Sequence, residues 1–305
     1  MLIEIAIGDA YGAGFEYVDP KVVAEFNDGR RYLKHPSHNL APGQYTDDTQ
    51  MSIAIAECLT DMSIWDRLGV AQKFVEVFAR DPRDGYARGF QGVLEDIVKT
   101  VPRERWGGEL LERVSKHGLS TKNGAAMRAM PIGLHPDLTT CVTMAMQQSM
   151  ITHRGSAIDA GVASALAVHY ATWVSGGSAK GLGAWLDERF SESHQFAVPW
   201  SGPVRGKDND NLGIDTVRAA VTAVESSASV LEVLTKSIAY TGDVDTVAAI
   251  AMGIASVCEL EYDLPDYLLT ALERGGKYGV QYLHDLDEKL LKRTAGELLA
   301  MRRPN

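Results

Sequence analysis

The sequence predicts an all-α fold, arranged as a single multi-helix domain over residues 1–305. Three observations carry this reading. Apolar residues recur at helical spacing, sustained strand alternation bounded by hairpin turns is missing, and the polar breaks between apolar segments are short. At 305 residues and 45% hydrophobic, the chain can bury a large core without covalent staples.

Residues 46–60 place Met51, Ile55 and Leu59 one turn apart, with Ile53 and Ala54 beside them. Residues 68–79 set Val70, Phe74, Val77 and Phe78 on one face. Residues 156–174 and 243–260 are nearly apolar throughout and rich in alanine, which suits helices buried on most sides. Their small side chains let neighbouring backbones approach closely. Breaks at 27–44, 80–89, 117–124, 175–183 and 199–213 are rich in Gly, Pro, Asn, Asp or Ser. None is long or biased enough to be a disordered linker.

Composition excludes several classes. Cys58, Cys141 and Cys258 form no Cys-x-x-Cys pair, which argues against structural zinc and against a secreted disulfide scaffold. With 40 acidic against 30 basic residues the net charge is −10, so bulk nucleic-acid binding is not expected. No apolar stretch reaches the length of a membrane span. The N-terminal apolar run carries Glu4 and Asp9 and is too short for a signal peptide, so the expected location is cytoplasmic.

Carboxylates concentrate where two of the apolar helices begin. Tyr45-Thr46-Asp47-Asp48-Thr49 opens one, and Gly242-Asp243-Val244-Asp245-Thr246 opens the other. A single Asp or Thr there would be explained by capping of free backbone N–H groups. Two adjacent Asp between two Thr, and Asp-x-Asp-Thr ahead of a nearly all-apolar helix, exceed what capping asks. Carboxylates in that density repel each other unless a cation neutralises them. Carboxylate and hydroxyl oxygens are hard donors suited to Mg²⁺, Mn²⁺ or Ca²⁺, and four aspartates exceed the need of one Mg²⁺. Two ions sharing ligands fit better. Gly8-Asp9-Ala10-Tyr11-Gly12-Ala13-Gly14-Phe15-Glu16 adds two more acids on a glycine-rich segment.

Together GDAYGAGFE (8–16), YTDDTQM (45–51) and TGDVDTVAAI (241–250) resemble the signature blocks of the ADP-ribosylglycohydrolases. Lys122-Asn123-Gly124-Ala125-Ala126-Met127-Arg128 and Ile151-Thr152-His153 resemble two further blocks, in the family's order. The resemblance implies an all-α fold with a central cleft holding two Mg²⁺ (or Mn²⁺). It implies metal ligation by Thr46, Asp47, Asp48, Asp243, Asp245 and Thr246, a gating or catalytic role for Glu16, and a supporting role for Asp9. Two departures stand out. Thr152-His153-Arg154-Gly155 lacks the family's Pro-bearing continuation, and Thr241 and Val244 stand where many members have Gly and Thr.

The implied reaction is hydrolysis of the bond between ADP-ribose and a modified acceptor, which reverses ADP-ribosylation. Arginine is favoured over serine, a nucleobase or a small molecule as acceptor. Glu16, Asp47 and Asp48 are the candidate catalytic carboxylates. Asn123, Gly124 and Ala125 are read as a phosphate cradle at a helix start, or else as a plain helix cap. Tyr86, with Arg88 and Phe90, is a candidate contact to base or acceptor, Lys122 or Arg154 to diphosphate. His153 is expected to line the cleft; His35 and His38, in a polar loop, are read as surface. The alternatives are a two-metal phosphoester hydrolase and a non-catalytic ADP-ribose-binding protein.

Overall fold

Residues 1–190 and 194–301 are described in the computed structural model; the rest of the domain expected over 1–305 lies outside them. Among the described residues the backbone forms fourteen α-helices and no sheet. In chain order these are α1 (Leu2–Ala13), α2 (Pro20–Phe26), α3 (Asp47–Thr60), α4 (Arg67–Arg80), α5 (Arg88–Thr100), α6 (Trp106–His117) and α7 (Leu138–Thr152). Then follow α8 (Ser156–His169), α9 (Leu182–Asp187), α10 (Leu212–Glu225), α11 (Val230–Ala239), α12 (Val244–Ala255), α13 (Asp266–Thr270) and α14 (Val280–Met301).

Side-chain caps fix several starts. Asp66 accepts from the Gly69 N–H at 2.7 Å to open α4, and Asp137 from the Thr140 N–H at 2.8 Å to open α7. The two alanine-rich segments are helical and largely buried; the first reaches its expected end only by changing its winding, and the second stops short. α8 stops at His169 and continues to Val174 as a π turn, in which the Ser175 N–H reaches back five residues to the Tyr170 carbonyl at 2.9 Å. α12 stops at Ala255, where the bonds tighten to i→i−3, the Val257 N–H donating to Ile254 and the Cys258 N–H to Ala255.

All twelve residues of α12 are buried, and α1 lies directly against it. Glycine makes the crossing possible. A Cβ on Gly8 would stand 2.4 Å from the Ala248 carbonyl oxygen, and one on Gly12 would stand 2.4 Å from Asp245 Cα. One continuous apolar core joins this pair to α3, α8 and α10. Cys58 and Cys141 are buried in it and Cys258 is half-buried; burial pushes each thiol up to about 12, so all three behave as small hydrophobes. Among the described residues no helix is long and apolar enough to cross a membrane.

Candidate active site

Asp9 on α1 grips the start of α3. Its two oxygens accept from the Thr46 N–H (3.0 Å each), the Thr46 hydroxyl (2.8 Å), the Thr49 N–H (2.9 Å) and the Thr49 hydroxyl (2.6 Å). Burial raises the Asp9 carboxyl to about 6, and these bonds pull against that rise. With both oxygens committed, Asp9 positions the Thr46–Asp48 turn. Gly85 (φ +119°) lets the following loop close over that turn, since a Cβ there would meet Asp47 Oδ1 at 2.3 Å.

The start of α12 is set by a different device. Thr241 (φ +64°) and Gly242 (φ +93°) turn the chain left-handed just before Asp243. The Val204 carbonyl accepts from the Asp243 N–H at 2.8 Å, and the Val204 N–H donates to Thr241 at 3.0 Å. Glu16, just beyond α1, is tied to the same turn because the Tyr17 N–H donates to the Gly242 carbonyl at 2.8 Å. The two acidic helix starts and Glu16 therefore face one another.

Here the acids are crowded beyond what their partners satisfy. Thr246 Oγ1 lies 3.4 Å from Asp48 Oδ2 and 3.3 Å from Asp243 Oδ1, and Asn123 donates its amide to Asp243 Oδ2 at 3.0 Å. Asp48 Oδ1 and Asp245 Oδ1 are buried without any hydrogen-bond partner. Burial raises the carboxyls of Asp47, Asp48, Asp243 and Asp245, and neighbouring acids add to each rise: Asp9 foremost for the first two, Glu16 for the last two. One oxygen each from Glu16, Asp243 and Asp245 falls within 4.8 Å of the others. Orphaned, buried, mutually repelling oxygens of this kind fit a hard divalent cation.

These residues floor a cleft of about 770 Å³, large enough for a nucleotide-sized ligand. Glu16, Asp47, Asp48, Asp243, Asp245 and Thr246 line it; Thr46 is enclosed just behind, its hydroxyl bound to Asp9. Tyr86, Asn123, Gly124 and His153 line its walls. The Tyr86 hydroxyl donates to Gln50 at 2.6 Å and is not free for a ligand. Phe90 lies beside it at 5.9 Å between ring centroids, whereas Arg88 is exposed outside the cleft.

Several placements correct the sequence reading. Residues 122–128 form successive turns, not a helix start. Ala125 does not line the cleft: it is fully enclosed, and its carbonyl accepts from the Gln148 amide at 3.1 Å. Lys122 reaches the cleft, but its ammonium is tied to the carbonyls of Gly206 (3.0 Å) and Asn209 (2.7 Å). Arg154 is exposed and donates to the Leu119 carbonyl, away from the lining. His35 is not a surface residue. Its ring is buried with Nε2 2.9 Å from Glu16 Oε2. The cause is α1: Leu33 packs onto Gly14, where a Cβ would meet the Leu33 side chain at 2.7 Å, and this draws the loop onto the helix end.

Sequence reasoning assigned no role to Arg128. Its guanidinium is buried at the cleft wall and donates to Gln148 Oε1 (2.6 Å), the Gln148 carbonyl (3.1 Å) and Thr152 Oγ1 (2.8 Å), with Phe74 beneath it. Burial pushes it down to about 9. Thr152 Oγ1 lies 2.7 Å from His153 Nδ1. Burial, with Arg128 nearby, holds His153 well below its usual range and hence neutral. The other ring nitrogen of His153, Nε2, lies beside Gly124. A lone charge in the apolar run Ala125–Met130 was the available signal for Arg128.

Comparison with known proteins gives a consistent picture. A family model described as ADP-ribosylglycohydrolase matches residues 1–299. The chain is 26% identical over 279 residues to the ADP-ribosyl-[dinitrogen reductase] glycohydrolase of Rhodospirillum rubrum, covering 88% of this chain and 87% of that protein. It is 28% identical over 186 residues to the ADP-ribosylhydrolase ARH3 of Xenopus tropicalis, a match spanning 56% of this chain and 49% of that protein. A solved structure described as an ADP-ribosylglycohydrolase-related protein complex has the same fold, with a TM-score of 0.69 at 23% identity over 96% of both chains.

Proposed function

The chain belongs to the ADP-ribosylglycohydrolase family, and from that premise we propose that this hydrolase of ADP-ribose linkages acts with two Mg²⁺ or Mn²⁺ ions on ADP-ribosylated arginine. Thr46, Asp47, Asp48, Asp243, Asp245 and Thr246 are the groups that would hold the ions. Bound there, the ions supply Lewis acidity and a fixed point for sugar oxygens. The observation that carries the reading is the pair of orphaned oxygens, Asp48 Oδ1 and Asp245 Oδ1, buried on the floor of a nucleotide-sized cleft.

In the reaction the oxygen of water bonds to the anomeric carbon of the distal ribose and the bond from that carbon to the acceptor nitrogen breaks. One water proton ends on the departing nitrogen, giving ADP-ribose and unmodified acceptor. Glu16, Asp47 and Asp48 are the carboxylates in the cleft able to move that proton. Asn123 orients Asp243, and the neutral His153 ring, on the cleft wall beside Gly124, offers a polar contact to the rest of the ligand. A cleft lined by Glu16 and Asp47 favours a cationic leaving group, which supports arginine ahead of serine or a nucleobase.

The test is release of free ADP-ribose from ADP-ribosylated arginine, serine and DNA, with Mg²⁺, with chelator, and with the Asp48→Ala variant. Metal-dependent release from arginine, abolished in the variant, is expected. Release of phosphate or AMP in place of ADP-ribose would overturn the reading, as would chelator-resistant turnover.

A further inference from the structure

We propose that His35 is a positioning residue that latches the Glu16 carboxylate against Asp243 and Asp245, so that the loop over residues 27–44 controls one wall of the active site. The proposal rests on the role of Glu16 in the proposed function.

The ring geometry decides between two chemistries. Glu16, His35 and His38 could be read as a second metal site, since one donor atom from each falls within 4.8 Å of the others. His35 Nδ1, however, already accepts two backbone N–H groups, those of Ser37 (3.1 Å) and His38 (3.0 Å), in a turn the ring itself closes. An imidazole nitrogen that accepts carries its lone pair, so in the neutral ring the proton resides on Nε2. Nε2 is buried 2.9 Å from Glu16 Oε2, a close polar approach in which the oxygen lies off the N–H axis and no hydrogen bond is formed. A metal at Nε2 would have to move that proton to Nδ1 and break both bonds of the turn. A carboxylate asks for neither change.

The latch has a fixed base. Tyr32 donates its hydroxyl to the Leu268 carbonyl at 2.6 Å, Leu33 packs on Gly14, and the His38 ring stands edge-on to His35 at 4.6 Å. On the other side, Tyr17 ties the Glu16 backbone to Gly242. Glu16 therefore sits between the buried His35 ring and the acidic start of α12.

The experiment uses the intact chain and compares wild type, His35→Ala, His35→Gln, Glu16→Gln and the Glu16→Gln/His35→Ala double variant. Three quantities are read: Mn²⁺ affinity by calorimetry, kcat and KM for ADP-ribosyl-arginine hydrolysis, and the thermal midpoint of the metal-free protein. His35→Ala is expected to lower kcat severalfold with KM little changed, the effect of losing a buried polar contact whose oxygen lies off the N–H axis. His35→Gln, which keeps an N–H donor, should recover most of it. In the Glu16→Gln background the removal of His35 should have no further effect, an epistasis that general loosening of the fold would not produce. Equal losses in both backgrounds, or a fall in thermal midpoint that Gln does not rescue, would overturn the latch. So would an additional Zn²⁺ equivalent that disappears in His35→Ala. If wild type itself shows no turnover the proposed function fails separately, and the latch is then judged on Mn²⁺ alone: weaker binding in His35→Ala, restored by Gln, supports it, and unchanged binding refutes it.

Discussion

The substitution Gly12→Ala offers the sharpest check on how the site is assembled. The added methyl would lie 2.4 Å from Asp245 Cα and 2.8 Å from its nitrogen, whereas ordinary contact begins near 3.4 Å. Both obstacles are backbone, so no side chain can rotate out of the way, and α1 must separate from α12 by about 1 Å at this point. Overpacking of this kind costs about 1–3 kcal/mol, while replacing a helical glycine by alanine returns about 0.5–1 kcal/mol. A net loss of about 1–2 kcal/mol is expected in urea unfolding. The displacement also pulls Glu16, which follows α1, away from Asp243 and Asp245, so Mg²⁺ affinity should fall by about tenfold, the equivalent of about 1.4 kcal/mol. Two controls bracket the result. A methyl on Gly253 has as its nearest neighbours the flexible side chains of Ile5 (3.0 Å) and Met130 (3.2 Å), so Gly253→Ala should stay within about 1 kcal/mol of wild type. One on exposed Gly92 in α5 meets nothing within 4 Å, so Gly92→Ala should stabilise by about 0.5–1 kcal/mol. Wild-type stability together with wild-type Mg²⁺ affinity in Gly12→Ala would refute the idea that this crossing sets the metal geometry.

Further outcomes follow from other parts of the molecule. Burial pushes the Glu57 carboxyl up, but bonds from Arg80 and Tyr282 and the charges of Arg80 and Lys73 hold it below its ordinary value, so its stabilisation is present above that value and lost as pH falls through the depressed one. Glu57→Gln should therefore lose about 1–2 kcal/mol in urea unfolding at neutral pH, and the difference from wild type should shrink in acid. Glu273→Ala removes one of the two carboxylates on the buried Arg83 guanidinium, which keeps Asp81 at 2.7 Å, and also the acceptor of the Tyr45 N–H, and should cost about 1.5–3 kcal/mol by the same measurement. Thr241→Gly relieves a β-branched residue at φ +64° and should stabilise by about 0.5–1 kcal/mol, read as a higher thermal midpoint. Mg²⁺ at a hundred times its Kd should stabilise wild type by about 2.7 kcal/mol per site and Asp48→Ala by much less, read as midpoint shifts on adding metal.

Much of this site was legible because its chemistry lies in short segments at helix starts. Asp47, Asp48, Asp243 and Asp245 are conspicuous for their density alone, and the apolar runs behind them mark the helices that bury them. What the sequence hid is whatever depends on tertiary contact. His35 looks like a loop residue because its neighbours Lys34, Ser37 and His38 are polar; only the packing of Leu33 on Gly14 brings it against Glu16. Ala125 adjoins two residues that do line the cleft, yet the turns at 122–128 point it inward, where one residue of register decides the matter. Thr241 departs from the family pattern in sequence, but its left-handed backbone, the reason glycine suits that position, is set by the Val204 segment that pairs with it and leaves no mark in the local sequence.

The two helix starts also explain why the site needs more than protein to be neutral. A helix N-terminus stabilises a nearby anion by about 0.3–1 kcal/mol, up to about 2 in a partly buried setting. Burying an ion costs several kcal/mol even after relaxation. Two helix starts therefore offset only a part of what Asp47, Asp48, Asp243 and Asp245 demand, and their carboxyls stand raised accordingly. Arg128, the buried cation at the cleft wall, bonds to Gln148 and Thr152 rather than to any of them. The remaining negative charge has to be met from outside the chain. On the proposed function divalent cations would meet it on the floor of the cleft and a positively charged acceptor would meet it at Glu16 and Asp47, so one excess of charge would account both for a metal requirement and for the direction in which acceptor selectivity should run.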